Sequence, residues 1–120
     1  MLSHIYSVEG VLNVKHLNKL VRDKVPSLVT KDGGSYTMKL MQGTDHLQAL
    51  KDKLKEETDE FIAAEKSEIE LDELVDIVEL VHSYLKLHNI TPEEFEALRI
   101  KKRKEKGSFE RGIYLTEISK

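Results

Sequence analysis

Two pairs of acidic residues have the spacing expected of a metal site on helices. Glu57 and Glu60 are three residues apart, and so are Glu73 and Asp76. Residues three apart lie on the same side of a helix, so two facing helices could bring all four carboxylates together. Carboxylate oxygens suit a hard divalent cation, and the pattern therefore predicts a site for one or two Mg²⁺ ions, with Mn²⁺ as an alternative.

The first acid pair falls within a predicted amphipathic helix. Its apolar residues recur at spacings of three, four and seven, namely Leu47, Leu50, Leu54 and Phe61. Thr44 or Asp45 is the expected N-cap. At 100° per residue, Glu57 lies at the edge of the apolar stripe with Glu60 beside it. An acid therefore interrupts the face that should pack.

The second acid pair falls within a longer apolar segment, for which we expect a largely buried helix over residues 68–88. Its apolar positions cover more than half of the circumference: Leu71, Leu74, Ile77, Val78, Leu80, Val81, Tyr84 and Leu85. Glu73 lies inside this apolar arc and Asp76 at its border. Burying such carboxylates costs several kcal/mol per ion without a partner, so a cation should meet them.

Two other interpretations of the acids remain open at this point. They could be solvated helix faces, because the chain has 22 acidic residues in all. They could also be neutralised by nearby lysines, for which Lys53, Lys55 and Lys66 are candidates. Either pair taken alone favours a solvated helix face. The coincidence of two pairs on consecutive helices strengthens the metal site and leaves it and the solvated face open as alternatives.

The rest of the chain predicts shorter elements. We expect a short or broken helix over residues 16–30, because Pro26 disfavours helical geometry in the residue before it. A third helix should start at Pro92 behind the capping residue Thr91, run to about Lys106 and stop at Gly107.

Alternating apolar and polar residues predict peripheral strands. Short strands are expected over residues 35–41 and 112–118, where the alternation has the period of a strand. Residues 1–15 are expected to be irregular, with room for one further short strand.

Composition limits the classes of protein to which the chain can belong. With 120 residues and 39% apolar side chains, one compact domain over residues 1–120 is expected, with residues 1–16 as an extension. So small a helical domain gains stability from association, and we expect a homodimer or homotetramer. A net charge of −3 makes nucleic acid an improbable partner. The chain has no cysteine and no apolar run long enough for a membrane span, which favours a soluble cytoplasmic protein.

The acidic motif resembles the signature of a known superfamily. Glu56-Glu57-Thr58-Asp59-Glu60, followed by Glu73-Leu74-Val75-Asp76, is similar to the motif of the all-α nucleotide pyrophosphatases, which include MazG, dimeric dUTPases and phosphoribosyl-ATP pyrophosphatase. The block Asn18-Lys19-Leu20-Val21-Arg22-Asp23-Lys24-Val25-Pro26 resembles the phosphoribosyl-ATP pyrophosphatase-like branch, as do residues 50–57, Arg99, Lys102 and residues 106–109. Ser108 departs from the pattern, since a second glycine is common there.

The resemblance implies a fold, a reaction and a set of site residues. The fold would be an all-α, MazG-like helical bundle with short peripheral strands, and oligomeric. The reaction would be Mg²⁺-dependent hydrolysis of a nucleoside triphosphate to a monophosphate and pyrophosphate, in the clearance of unwanted nucleotides. The implied metal ligands are Glu57, Glu60, Glu73 and Asp76; the implied catalytic residues are Glu56 and Glu57, where Glu56 holds a second metal or the attacking water. Lys19, Arg22, Lys102 and Lys106 are the cations implied to bind the triphosphate.

The sequence is also compatible with three other functions. The first is phosphoribosyl-ATP pyrophosphatase activity itself, which shares the acidic signature; the Asn18–Pro26 block argues against it. The second is a non-catalytic helical module that binds a nucleotide or a protein. The third, and weakest, is nucleic-acid binding through the basic residues 101–106.

Overall fold

Four α-helices make up the regular structure of the protein. The computed structural model describes residues 14–120, and within that range it contains helices and no strand. The helices are α1 (Val25–Lys31), α2 (Gly43–Ala63), α3 (Ser67–Leu87) and α4 (Pro92–Lys106). The predicted all-α class is confirmed. Among these helices, none has both the length and the apolar character needed to cross a bilayer.

Helix α2 carries its buried residues on one face. Leu50, Lys53 and Glu57 are buried and are separated by three and four positions, which is the spacing of a single helix face. The predicted helix is confirmed, but its predicted cap is wrong. Thr44 and Asp45 lie inside the helix, which begins at Gly43 after Gln42 in extended conformation. The helix therefore begins two or three residues earlier than a cap at Thr44 or Asp45 would place it.

Helix α3 has the predicted bounds to within one residue and ends before Asn89, whose φ of 58° is in the left-handed region that asparagine tolerates. Along this fully described helix, the buried residue is Glu73. Leu71, Val75 and Val78 are each more than half exposed in the single chain. The expectation of a largely buried helix is therefore wrong for the chain alone, because periodicity shows which residues share a face and not what covers it.

The chain divides into two compact units, residues 1–84 and 85–120. In the first unit, a small apolar cluster joins α1 to the segment before it: Val25 and Val29 are buried, and Leu17 and Val21 pack against them. Pro26 lies in the first turn of α1, where its missing N–H has no helical partner to lose. The proline thus lies at the start of this short helix and does not break one. The expected range of residues 16–30 was wrong, because residues 16–24 are not helical.

Helix α4 belongs to the second unit, and its ends are as predicted. The side chain of Thr91 accepts a hydrogen bond from the backbone N–H of Glu94 at 3.1 Å, and Gly107 ends the helix with a φ of 86°. The strands expected over residues 35–41 and 112–118 are absent from the described structure. Alternation alone does not make a strand, because a strand also needs a neighbour to pair with its backbone.

Candidate active site

The acids named from the sequence meet between α2 and α3. Glu56, Glu57 and Glu60 form one group on α2, and Glu57 forms a second group with Glu73 and Asp76 of α3. Within each group, one oxygen from every carboxylate lies within 4.8 Å of the others. Glu57 belongs to both groups, so the five acids form one continuous cluster.

The short connection between the helices explains why these residues meet. Residues 64–66 join α2 to α3, and so few residues between two packed helices produce an antiparallel hairpin. Glu57 lies seven residues before Ala64, and Glu73 lies seven residues after Lys66. Since each helix rises about 1.5 Å per residue, both side chains stand at the same height above the connection. The three-residue spacing then adds Glu60 and Asp76 to the same region.

Burial gives the cluster its unusual electrostatics. Glu57 is 1% exposed and Glu73 is 4% exposed. Burial raises the pKa of Glu73, and hydrogen bonding to and repulsion from Glu57 and Glu60 raise it further, to about 8. The Oε2 atom of Glu73 is buried and has no hydrogen-bond partner among the described residues.

These features fit a divalent cation. Bringing carboxylates together in a buried position is unfavourable unless positive charge compensates them, and a buried oxygen without a partner is open to a ligand bond. The donor set consists of oxygens alone, which matches Mg²⁺ or Mn²⁺ better than a softer metal. Glu57, Glu60, Glu73 and Asp76 are the residues that would hold such an ion.

Three cations of the protein also contact the cluster. The Lys53 Nζ atom lies 3.1 Å from Glu57 Oε1 and 3.4 Å from Glu56 Oε2. Lys19 Nζ donates a hydrogen bond to Glu56 Oε1 at 2.7 Å, and an Arg22 guanidinium nitrogen donates to Asp76 Oδ1 at 2.6 Å. Lysine neutralisation, one of the alternatives left open above, is thus confirmed for Lys53, while Lys55 pairs with Asp59 at the surface.

Glu56 differs from Glu73 although the two belong to the same cluster. Partial burial raises the pKa of Glu56, but hydrogen bonds and the positive charges of Lys19 and Lys53 outweigh that effect, so the pKa lies below its usual value. Glu56 is therefore ionised at neutral pH. Two acids of the same cluster, Glu56 on α2 and Glu73 on α3, thus have opposite pKa shifts because different charges surround them.

Sequence reasoning missed the partners of the basic residues. The family resemblance implies phosphate as the partner of Lys19 and Arg22, whereas in the structure they bind acids of the cluster. The sequence offers Lys53 only as one of three lysines near the acids. Its spacing from Leu50 and Glu57 was the available signal, because that spacing places it on the buried face of α2. Lys102 and Lys106 are exposed on α4 in the second unit, and their role in substrate binding stays a prediction.

Comparison with known families shows the family to which the chain belongs. A family model described as phosphoribosyl-ATP pyrophosphohydrolase matches residues 14–103, about three quarters of the chain. The chain belongs to the phosphoribosyl-ATP pyrophosphohydrolase family. This family is a member of the MazG-like all-α nucleoside triphosphate pyrophosphatase superfamily, so the resemblance inferred from the motifs is confirmed. No match was found among curated proteins or among solved structures.

Membership of this family shows the class of reaction that the protein catalyses. The match includes all five acids of the cluster as well as Lys19, Arg22 and Lys53. As a member of the phosphoribosyl-ATP pyrophosphohydrolase family, the chain is a pyrophosphohydrolase, of a family that is typically metal-dependent. Lys106 lies beyond the matched residues.

Proposed function

We propose that the protein is a Mg²⁺-dependent nucleoside triphosphate pyrophosphohydrolase, which cleaves between the α- and β-phosphates and releases a nucleoside monophosphate and pyrophosphate. The observation that carries this proposal is the meeting of the two acid pairs around the buried carboxylate of Glu73. A pyrophosphohydrolase must neutralise a highly charged phosphate chain and activate water, and a divalent ion on these acids can do both.

The acids of the cluster have two roles in the proposed reaction. Glu57, Glu60, Glu73 and Asp76 would hold the metal, which when bound would supply positive charge to the phosphates and lower the pKa of a nearby water. The water oxygen forms a bond to the α-phosphorus, and the bond from that phosphorus to the bridging oxygen breaks. The electron pair of the broken bond leaves with pyrophosphate, and the proton that the water loses passes to solvent. The lowered pKa of Glu56 makes it a weak base, so its carboxylate fits the orientation of the attacking water better than the permanent removal of a proton.

Pyrophosphate release from a panel of ordinary and modified nucleoside triphosphates tests the proposal. The panel is run with Mg²⁺ or Mn²⁺, on the wild type and on Glu57→Gln and Asp76→Asn. We expect metal-dependent release that falls at least about 100-fold in both variants, more than is usual for a residue that only supports a ligand. Glu79→Gln is the matched control, because Glu79 is an exposed acid on α3 outside both carboxylate groups.

Circular dichroism establishes that each variant is folded. Release that is equal in the wild type and both ligand variants would contradict the assignment of the acids. Absence of release from every substrate, with the protein folded and metal present, would favour a non-catalytic helical module that binds a nucleotide or a protein.

Phosphoribosyl-ATP is the second candidate substrate, and the description of the matching family favours it. Both substrates present the same bond between α- and β-phosphates, so the acids serve either reaction equally well. Including phosphoribosyl-ATP in the panel separates them: a kcat/KM at least tenfold above that of every nucleoside triphosphate would make it the substrate. The Asn18–Pro26 block is the sequence feature that favours the nucleoside triphosphates.

The same proposal extends to assembly and cellular role. The exposed apolar residues Leu71, Val75 and Val78 of α3 support association of the chain with copies of itself, as a homodimer or homotetramer. We place the protein in the cytoplasm, where it would clear unwanted nucleotides. Light scattering of the purified protein measures its molar mass, and a monomer at micromolar concentration would contradict the assembly.

A further inference from the structure

Lys19 and Arg22 link one segment of the chain to both helices of the acid cluster. Lys19 pairs with Glu56 on α2, and Arg22 pairs with Asp76 on α3. Both acids belong to the groups whose oxygens converge as they would around a metal ion. A divalent cation in the cluster would therefore lie close to two positive side chains that already contact its ligands, and like charges so close repel each other.

The three cations at the cluster differ in whether they can leave. The side chain of Lys53 is 10% exposed, and its Nζ atom is enclosed with the nearly inaccessible Glu57. The side chains of Lys19 and Arg22 are 23% and 52% exposed. Water can solvate the ammonium and the guanidinium as soon as their ion pairs open, whereas Lys53 would have to leave the interior to do the same.

The backbone of the segment is anchored separately from its charges. Leu17 and Val21 pack against Val25 and Val29, so apolar contacts hold the segment beside α1. Opening the two ion pairs leaves these contacts in place. Lys19 and Arg22 have long, flexible side chains, and they can change partners by rotation about side-chain bonds while the segment stays where it is.

We propose that Lys19 and Arg22 are exchangeable counterions that couple metal binding to phosphate binding. In the metal-free protein they neutralise Glu56 and Asp76. When a divalent cation binds the acids, the two side chains are released and bind the oxygens of the substrate's phosphate chain, while Lys53 stays as the resident cation. This inference rests on the proposed function, because it takes the acids as metal ligands and a phosphate chain as the substrate.

The exchange has a thermodynamic consequence that can be measured without turnover. Metal must displace the two cations, so the cations weaken metal binding. Phosphate recruits the displaced cations, so metal strengthens phosphate binding, and by reciprocity phosphate strengthens metal binding. A purely structural role for Lys19 and Arg22 predicts the opposite sign for metal, since loss of a residue that orients a ligand weakens metal binding.

The first experiment measures Mn²⁺ binding to the full chain by calorimetry, with no phosphate present. We expect Lys19→Met and Arg22→Met to bind Mn²⁺ about three- to tenfold more tightly than the wild type, a change on the scale of a partly exposed ion pair. Lys24→Met is the matched control, since it removes an equal charge from an exposed lysine of the same segment. Lys19→Arg and Arg22→Lys keep the charge and should bind Mn²⁺ as the wild type does.

The second experiment measures binding of inorganic pyrophosphate, a probe that needs no knowledge of the base or sugar. It is run with free Mn²⁺ fixed at a saturating level and again without metal. In the presence of metal, Lys19→Met and Arg22→Met should weaken pyrophosphate binding about tenfold, because each removes a charged phosphate contact. Without metal the same variants should change it less than twofold, since the wild-type side chains are then held by the acids.

Either of two results would overturn the exchange. One is Mn²⁺ affinity that is unchanged or weaker in both variants, and the other is an equal loss of pyrophosphate binding with and without metal. Should Lys19→Met not fold, Arg22→Met carries the test, because its side chain is half exposed. Coupled binding without hydrolysis of any triphosphate would contradict the proposed function alone, and hydrolysis without coupling would contradict this inference alone.

Discussion

Replacing Glu73 by glutamine should stabilise the metal-free protein while removing its response to Mg²⁺. Glu73 is 4% exposed, and burial together with Glu57 and Glu60 raises its pKa from 4.5 to about 8. At pH 7 the side chain is protonated in the folded protein and ionised in the unfolded chain. Folding at pH 7 therefore requires Glu73 to take up a proton, which lowers the stability of the fold. Glutamine is neutral in both states and does not carry this cost.

The size of the effect follows from the pKa. Holding a carboxyl protonated roughly 2.5 pH units above its ordinary pKa costs about 3 kcal/mol, at about 1.4 kcal/mol per unit. This is an upper bound, because the amide only partly reproduces the contacts of the protonated acid. We expect Glu73→Gln to raise the free energy of unfolding by about 1–3 kcal/mol at pH 7, and the midpoint of thermal unfolding by roughly 4–10 °C.

The sign of the pH dependence is fixed by the direction of the shift. Because the pKa is raised in the folded state, the favourable contribution of Glu73 is complete below about pH 4.5 and is lost as pH rises through about 8. Wild type and variant should therefore unfold at similar temperatures near pH 4.5 and diverge up to pH 8. Added Mg²⁺ should raise the midpoint of the wild type and leave that of the variant unchanged.

Thermal unfolding in a chelating buffer, followed by circular dichroism, makes the measurement. Glu79→Gln removes an exposed acid from the same helix and should change the free energy of unfolding by no more than about 0.5 kcal/mol. A metal-free Glu73→Gln protein that is less stable than the wild type at pH 8 would refute the reasoning. So would a variant whose midpoint rises with Mg²⁺ as much as that of the wild type.

Other substitutions test the remaining parts of the structure. Lys53→Met leaves the buried Glu57 without its cation and should lower the metal-free free energy of unfolding by about 3 kcal/mol in urea titrations; Lys55→Met, which breaks only a surface pair, should cost under about 1 kcal/mol. Leu50→Ala should cost at least about 2 kcal/mol in the same titration, and a smaller loss would contradict the burial of this side chain. Thr91→Ala should cost about 1 kcal/mol through the lost cap of α4, and Thr91→Ser should restore most of it.

The sequence was sufficient for α3, α4 and the meeting of the acids, because these depend on local spacing. The bounds of α3 and α4 follow from an apolar period, a capping threonine and a terminal glycine. The meeting of Glu57 with Glu73 follows from a short connection and equal distances along two helices. No information about the path of an irregular segment is needed for either.

The basic partners could not be obtained in the same way. The pairing of Lys19 with Glu56 spans 37 positions and that of Arg22 with Asp76 spans 54. Residues 17–24 are not helical in the structure, so a helical period in the sequence does not show where their side chains lie. The strand expected over residues 35–41 was wrong for a related reason. A two-residue period is a local property, and whether another strand lies alongside depends on the whole chain.

The hairpin of α2 and α3 also bears on how fast the chain folds. Glu57 and Glu73 are only 16 positions apart, so the loop that brings them together closes early and at little entropic cost. We therefore expect repulsion between the acids to act before the transition state of folding. Neutralising one of them should accelerate folding more than it slows unfolding, and a divalent cation present from the start should act as a nucleus around which the two helices close.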